Sequence, residues 1–113
     1  AEQNHIDAQY HLGNIFDKGL GTKKDSSEAI KWITRAAKSD HIKAQFQLAQ
    51  MYANGEGAAQ DYQEAVKWYR VAAQHGHIKA QFQLGMLYKK GLGVAQDYTE
   101  ATRWLKQAIE QDL

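Results

Sequence analysis

The chain has 113 residues, with 14 Lys or Arg and 13 Asp or Glu, so its formal net charge is only +1. This balance lacks the basic excess of nucleic-acid-binding surfaces, and the absence of cysteine excludes disulfide bonds and thiolate chemistry. Apolar runs fall far short of the roughly 20 residues that a membrane-spanning helix needs, so neither nucleic-acid binding nor membrane insertion is expected.

The first predicted element is a helix near the start of the chain. Its apolar residues stand at i, i+4, i+7 and i+8, which places them on one helix face: Ala8, Leu12, Ile15 and Phe16. A Gly-x-Gly segment at residues 19–21 follows, and glycine can adopt the positive φ that ends a helix. The pattern therefore predicts one amphipathic helix closed by a tight turn.

A second helix is predicted to begin at Asp25-Ser-Ser-Glu28, which has the spacing of a capping box. The Asp carboxylate can accept a backbone N–H of the first turn, and the Glu side chain can reach back to the Asp N–H. The apolar face of this helix consists of Ala29, Ile33, Ala36 and Ala37, with Trp32 on its flank. We expect Trp32 and its equivalents, Trp68 and Trp104, to lie in the core.

The whole helix–turn–helix pattern occurs three times at a spacing of 36 residues. The matching positions include Leu12, Asp25, Glu28 and Trp32, then Leu48, Asp61, Glu64 and Trp68, then Leu84, Asp97, Glu100 and Trp104. Histidine recurs in the same way at His5, His41 and His77, where we expect a polar ring at the start of a helix. The third copy departs from the pattern at Ile109, which replaces an alanine. Such a repeat predicts a solenoid whose units pack on their neighbours.

Each copy follows the order Ala-x-aromatic-x-Leu, aromatic, Gly-x-Gly, Asp-x-x-Glu-Ala-x-x-Trp and Ala-Ala, and this order resembles the Sel1-like repeat. The resemblance covers essentially the whole chain, and that family looks like the tetratricopeptide repeat with a longer loop between its helices. It implies a right-handed α-solenoid (an α/α superhelix) whose first helices line a concave face. It also implies a protein-interaction scaffold, often in bacterial secreted or periplasmic proteins. A cysteine-rich subgroup is linked to β-lactam hydrolysis, and this cysteine-free chain departs from that subgroup.

A single all-α domain is predicted over residues 1–113, with helix-turn-helix repeats at 8–43, 44–79 and 80–113. Residues 1–7 align with the last residues of a repeat, so we interpret them as the tail of a preceding one. The third copy is not followed by the polar capping helix that usually covers an end repeat. The chain is therefore interpreted as a segment of a longer array or as a small family member with minimal caps.

The candidate partner-binding residues lie on the first helix of each copy. At about 100° per residue, three aromatic residues point away from the core face: Tyr10, Phe46 and Phe82. These rings either pack between neighbouring first helices or form the floor of a groove, and both explanations can hold together. The accompanying residues on this face are Asn14, Lys43, Gln50, Lys79 and Met86. Such a surface suits a peptide with apolar side chains and some negative charge.

Catalytic, metal and cofactor sites are not predicted. The Gly-x-Gly segments lack the third glycine and the strand–turn–helix context of a dinucleotide motif. The periodic histidines would lie about 8–10 Å apart on stacked helices, too far to share one zinc ion, and the periodic carboxylates already cap helices. Two alternatives to a binding scaffold stay open: a hydrolase of β-lactam or cell-wall type, and a structural spacer within a longer repeat array.

Overall fold

The computed structural model describes residues 2–18 and 25–112, with side chains from residue 5 onward within those ranges. Its helices are α1 (Glu2–Lys18), α2 (Ser26–Lys38), α3 (Ile42–Asn54), α4 (Tyr62–Gln74), α5 (Ile78–Lys90) and α6 (Tyr98–Asp112). No strand occurs within the described ranges. The predicted all-α repeat fold is confirmed, and the helices pair as α1 with α2, α3 with α4, and α5 with α6.

Each second helix starts at an aspartate whose carboxylate accepts a backbone N–H. Asp25 Oδ1 accepts from the N–H of Glu28 at 3.1 Å, and Asp61 and Asp97 make the same bond in the other copies. The other half of the predicted capping box is wrong, because the Asp25 N–H donates instead to the carbonyl of Phe16 at 2.8 Å. The Glu28 carboxylate pairs with Lys31 on the outer surface. The aspartate therefore both caps its helix and ties it to the preceding one.

Histidine starts the first helices of the second and third copies. His41 Nδ1 accepts the N–H of Ala44, and His77 Nδ1 accepts that of Ala80, both at 3.1 Å. The expected polar ring at a helix start is confirmed at these two positions. It is wrong for His5, which lies inside α1 and is exposed, because α1 continues as a helix through residues that form a turn in the other copies.

The loop after α3 depends on two glycines in the left-handed region. Gly55 caps α3 with φ 71°, and Gly57 has φ 79°. Gly57 lies so close to the preceding repeat that a Cβ there would overlap the carbonyl of Ser26. The same arrangement follows α5 at Gly91 and Gly93. The equivalent predicted turn at residues 19–21 lies outside the described residues.

The core runs along the interface between first and second helices. It contains the predicted small and aliphatic residues, among them Ala44, Leu48, Ala72 and Leu84, together with Trp68 and Trp104. Trp32 is only partly buried. Two residues predicted on the core face of α1 are exposed: Ala8, and Ile15, which is 39% exposed while its equivalent Met51 is 2% exposed. In the described residues no second helix precedes α1 to cover them.

Two buried glutamines fasten consecutive repeats to each other. Gln45 Nε2 donates to the carbonyl of Ala37 at 3.1 Å, and Gln81 Nε2 donates to that of Ala73 at the same distance. Each bond joins the first turn of a first helix to the last turn of the preceding second helix. The result is an elongated stack of 43 × 31 × 21 Å.

Candidate partner-binding groove

All eight residues predicted for partner binding line depressions that follow the first helices. The first two depressions contain Tyr10, Asn14 and Lys43. Gln50 and Met86 line the next one, between α3 and α5. Phe46, Gln50, Lys79 and Phe82 line the last, an open groove of about 670 Å³. The sequence pattern thus selected residues that share one side of the stack.

The three periodic aromatic rings have different surroundings. Tyr10 stacks on His41, with ring centroids 4.5 Å apart and planes at 27°. Phe46 stacks on His77 at 4.5 Å and 28°, and also contacts Tyr69 at 5.7 Å. Both are partly buried against the core. Tyr10 and Phe46 therefore each pack on the histidine that starts the next first helix, rather than on each other.

Phe82 is the aromatic that faces the open groove. It is 49% exposed, and no ring among the described residues stacks on it. Its groove is apolar on the α6 side, where Leu105, Ala108 and Ile109 contribute to the wall. Of the two explanations for the aromatic positions, packing applies to Tyr10 and Phe46, and exposure in a groove applies to Phe82.

The polar residues beside the aromatic positions differ in their exposure to solvent and in whether they already have a hydrogen-bond partner. Asn14 Oδ1 accepts from Gln47 Nε2 at 2.8 Å, which links α1 to α3. Gln50 is half-buried, and Lys43 and Lys79 are exposed. The two lysines can therefore reach a ligand, whereas the Asn14 amide already has a structural partner.

The electrostatics at the junction of repeats 2 and 3 centre on His77. Burial, and then the charges of Lys79 and Lys43, lower the pKa of His77 below its usual value of 6.5. Burial also raises the pKa of the nearby Tyr69 hydroxyl to about 12. Both groups are therefore neutral near pH 7, and the positive charge on this surface comes from the lysines.

The chain matches a known family in three consecutive segments. The Sel1 repeat matches residues 6–41, 42–77 and 78–113. The chain belongs to the Sel1 repeat family. The repeat boundaries at 8–43, 44–79 and 80–113 stay a prediction.

Solved Sel1 repeat structures resemble the chain closely over part of their length. A Sel1 repeat protein from Oxalobacter formigenes is 40% identical over 96% of this chain, with a TM-score of 0.91, and the chain covers 45% of it. The protein c5321, a protective antigen of uropathogenic Escherichia coli strains, is 41% identical over 98% of this chain, with a TM-score of 0.92 and 24% of its length covered. A sel1-like repeat-containing protein, L18, of Acanthamoeba polyphaga mimivirus is 53% identical over 30 residues, 26% of this chain and 5% of that protein. The chain spans less than half the length of each.

Several groove residues of this Sel1 repeat chain were missed by the sequence analysis. They come from α5 and α6: Ile78, Gln83, Leu105, Ala108, Ile109 and Asp112. Ile109 was visible as a departure from the repeat pattern, yet nothing in the pattern related it to Phe82. The contact depends on how α6 packs against α5, which the spacing of residues along one helix does not reveal.

Basic residues on the outer side of the Sel1 second helices are mostly engaged with neighbours. Lys31, Lys67 and Arg103 pair with the glutamates three residues before them. Arg35, Lys67 and Arg103 also lie over the rings of Trp32, Trp68 and Trp104. Several basic side chains of the outer face therefore already form ion pairs or cation–π contacts within their own helices.

The part of the chain that the structure describes contains neither a metal-binding cluster nor a membrane-spanning helix. No group of three or more His, Asp or Glu residues there is arranged to hold a metal ion. None of the described helices combines the length and apolar character needed to cross a membrane.

Proposed function

We propose that the chain is a protein-interaction module whose concave face holds a segment of a partner protein. Sel1 repeats generally serve as non-catalytic scaffolds for protein interactions. One observation carries the finer proposal: the eight residues selected from the sequence line connected depressions along the first helices. Concave apolar surfaces with a few convergent polar groups are the usual form of such sites.

The side chains of this face indicate which kind of partner segment would bind there. Phe82 and the half-buried Gln50 offer an apolar anchor point with an amide beside it. The exposed ammonium groups of Lys43 and Lys79 favour carboxylates on the partner. A segment with apolar side chains separated by acidic residues therefore fits this face best.

The test starts from a partner captured by the immobilised chain and identified by mass spectrometry. A Lys43→Ala/Gln50→Ala variant should bind that partner about tenfold more weakly, which corresponds to about 1.4 kcal/mol. Both side chains project from the proposed face, so their removal should leave stability within about 0.5 kcal/mol. The loss caused by Lys43→Ala alone should shrink as salt is added, because exposed charges are screened.

Lys67→Ala is the matched control, since Lys67 is an exposed lysine on the outer side of α4. It should leave partner affinity unchanged. If Lys67→Ala weakened binding while the Lys43→Ala/Gln50→Ala variant kept full affinity, the binding face would be the outer one. If no partner were captured, the spacer alternative would gain support.

A further inference from the structure

Two joints between helix pairs contain the same histidine contact. At the first joint, between the α1–α2 pair and α3, the His41 ring stacks on Tyr10. At the second joint, between the α3–α4 pair and α5, the His77 ring stacks on Phe46. Each imidazole also caps its own helix, because its Nδ1 accepts the N–H of the residue three positions later at 3.1 Å. A protonated imidazole has two N–H donors and no acceptor, so both caps require an unprotonated Nδ1.

The two joints differ in the charge that the preceding first helix places beside the imidazole. At the first joint, Asp7 Oδ1 of α1 lies 3.0 Å from His41 Nε2. At the second joint, the residue 36 positions after Asp7 is Lys43 of α3. An opposite charge stabilises a protonated imidazole and a like charge destabilises it. Protonated His41 would therefore keep an ion pair with Asp7, whereas protonated His77 would face an ammonium group.

The remaining charges around His41 include a second carboxylate. The depression that contains His41 is lined by Asp7 and His11 from α1, by Asp40 from the turn after α2, and by Lys43 from α3 itself. Two carboxylates therefore accompany one ammonium group there, and His11 adds a second titratable ring. Protonation of His41 costs its cap, but the two carboxylates offset part of that cost.

The charges around His77 are mainly positive. Lys79 on α5 adds to Lys43 on α3, and burial together with these two lysines lowers the pKa of His77. Helix α4 contributes Tyr69, whose pKa is raised to about 12 and which is therefore neutral. The turn after α4 contributes His75, whose Nδ1 lies 2.9 Å from the carbonyl oxygen of Val71.

Carboxylates contribute less at the second joint than at the first. Gly76 stands where the first joint has Asp40. Asp112 of α6 lines a groove together with Lys79, and the pKa of His77 is lowered all the same. Protonation of His77 would therefore cost the cap without a carboxylate to offset the loss.

We propose that the second joint is acid-sensitive and the first is not, so that in mildly acidic solution the α5–α6 pair separates from the α3–α4 pair while the α1–α2 pair stays docked. A separated joint frees His77 to bind a proton at its ordinary affinity, and acid therefore favours the open form. Lys43 and Lys79 belong to the candidate partner-binding face, so two lysines of that face also set the acid response. The inference goes beyond the proposed function, because it concerns the stack with or without a partner.

Native-state hydrogen exchange of the full chain, followed by NMR at about pH 7.5 and about pH 5.5, tests the proposal. Protection factors corrected for intrinsic exchange report the opening of each helix pair. The amides of α5 and α6 should lose about tenfold in protection at the lower pH, because an imidazole with a pKa near 6.5 in the open form is then mostly protonated. The amides of α1 and α2 should lose less than about threefold.

Exchanging the two charges should exchange the response. Lys43→Asp gives the second joint the carboxylate that the first one has, so the acid-induced loss in α5 and α6 should shrink to about threefold or less. Asp7→Lys should make α1 and α2 acid-sensitive by about tenfold. Lys67→Asp is the matched control, since it makes the same charge change on the outer side of α4. It should keep the response of the unmodified chain.

The proposal is overturned if both end pairs lose protection equally in acid, or if Lys43→Asp leaves the loss in α5 and α6 unchanged. If Lys43→Asp does not fold, Lys43→Gln removes only the ammonium group and must still reduce that loss. A full acid response in His77→Asn would also overturn it, because asparagine caps the helix without titrating. These measurements need no partner, so their failure would leave the proposed function standing.

Discussion

At the scale of single residues, His77 combines two structural tasks that both require a neutral imidazole. Its Nδ1 accepts the N–H of Ala80, and its ring stacks on Phe46. Protonation would turn that acceptor into a donor facing another donor, next to the positive end of helix α5. Burial and the charges of Lys79 and Lys43 lower the pKa of His77 in the same sense.

Stability should therefore fall as the solution becomes acidic. The folded chain holds fewer protons on His77 than the unfolded chain does between the lowered folded pKa and 6.5. The contribution of His77 is present above pH 6.5 and is lost as the pH falls from 6.5 through the folded pKa. Urea unfolding from about pH 7.5 to about pH 5 measures this loss.

Substitutions at His77 separate its charge from its cap. His77→Asn keeps a good helix-capping acceptor that does not titrate, so its stability should depend less on pH than that of the unmodified chain. His77→Ala should be less stable already at pH 7.5, by about 1 kcal/mol for the lost cap. An Asn variant with the full pH dependence would show that other groups cause it.

At the scale of elements, the loops between helices hold neighbouring repeats together. Gly57 follows α3 and lies against the carbonyl of Ser26, at the start of the preceding second helix. Gly93 makes the same approach to Tyr62. This contact explains why the second glycine of the Gly-x-Gly segments after α3 and α5 needs both a positive φ and the absence of a side chain.

Two glycine substitutions should distinguish these requirements. Gly76→Ala encounters no atom within 4 Å but keeps φ 88°, so it should cost only the left-handed penalty of about 1–2 kcal/mol. Gly57→Ala carries a similar φ penalty and also collides with the Ser26 carbonyl. Urea unfolding should show at least twice the loss for Gly57→Ala. Equal losses would mean that the loop can move away from the preceding repeat at little cost.

At the scale of the whole molecule, stability depends on contacts between consecutive units, because each unit packs only on its neighbours. The middle pair, α3 and α4, is the one covered from both sides by other described helices. Its tryptophan, Trp68, is 8% exposed, whereas Trp32 in the first unit is only partly buried. A defect in the middle unit therefore affects both interfaces.

Trp68→Ala should lower the melting temperature strongly. Removing a buried aromatic ring costs about 3–5 kcal/mol, a large part of the about 5–15 kcal/mol that stabilises a typical domain. For a chain of this size that corresponds to a fall of about 10 °C or more. Thermal unfolding followed by circular dichroism measures it, with Trp32→Ala as the partly exposed control. Equal shifts for the two variants would mean that the middle unit is not more tightly held.

The sequence by itself predicted most of the local structure and grouped the residues of the candidate site on one face of the first helices. Helix faces, glycine turns and aspartate caps depend on residues a few positions apart, and their spacing repeats three times. The same spacing placed Tyr10, Phe46 and Phe82 on one face. It could not assign the glutamate of the capping box, because the competing bond from Asp25 to Phe16 joins two helices.

Tertiary structure decided which equivalent residues are covered. The three aromatic positions are alike in the sequence, yet Phe46 lies under His77 and Phe82 faces an open groove. Ile15 and Met51 are likewise equivalent, yet Ile15 is 39% exposed and Met51 is buried. The physical reason is that burial in a stack depends on whether a neighbouring unit covers a position, and the pattern within one unit is the same whether that neighbour is present or absent.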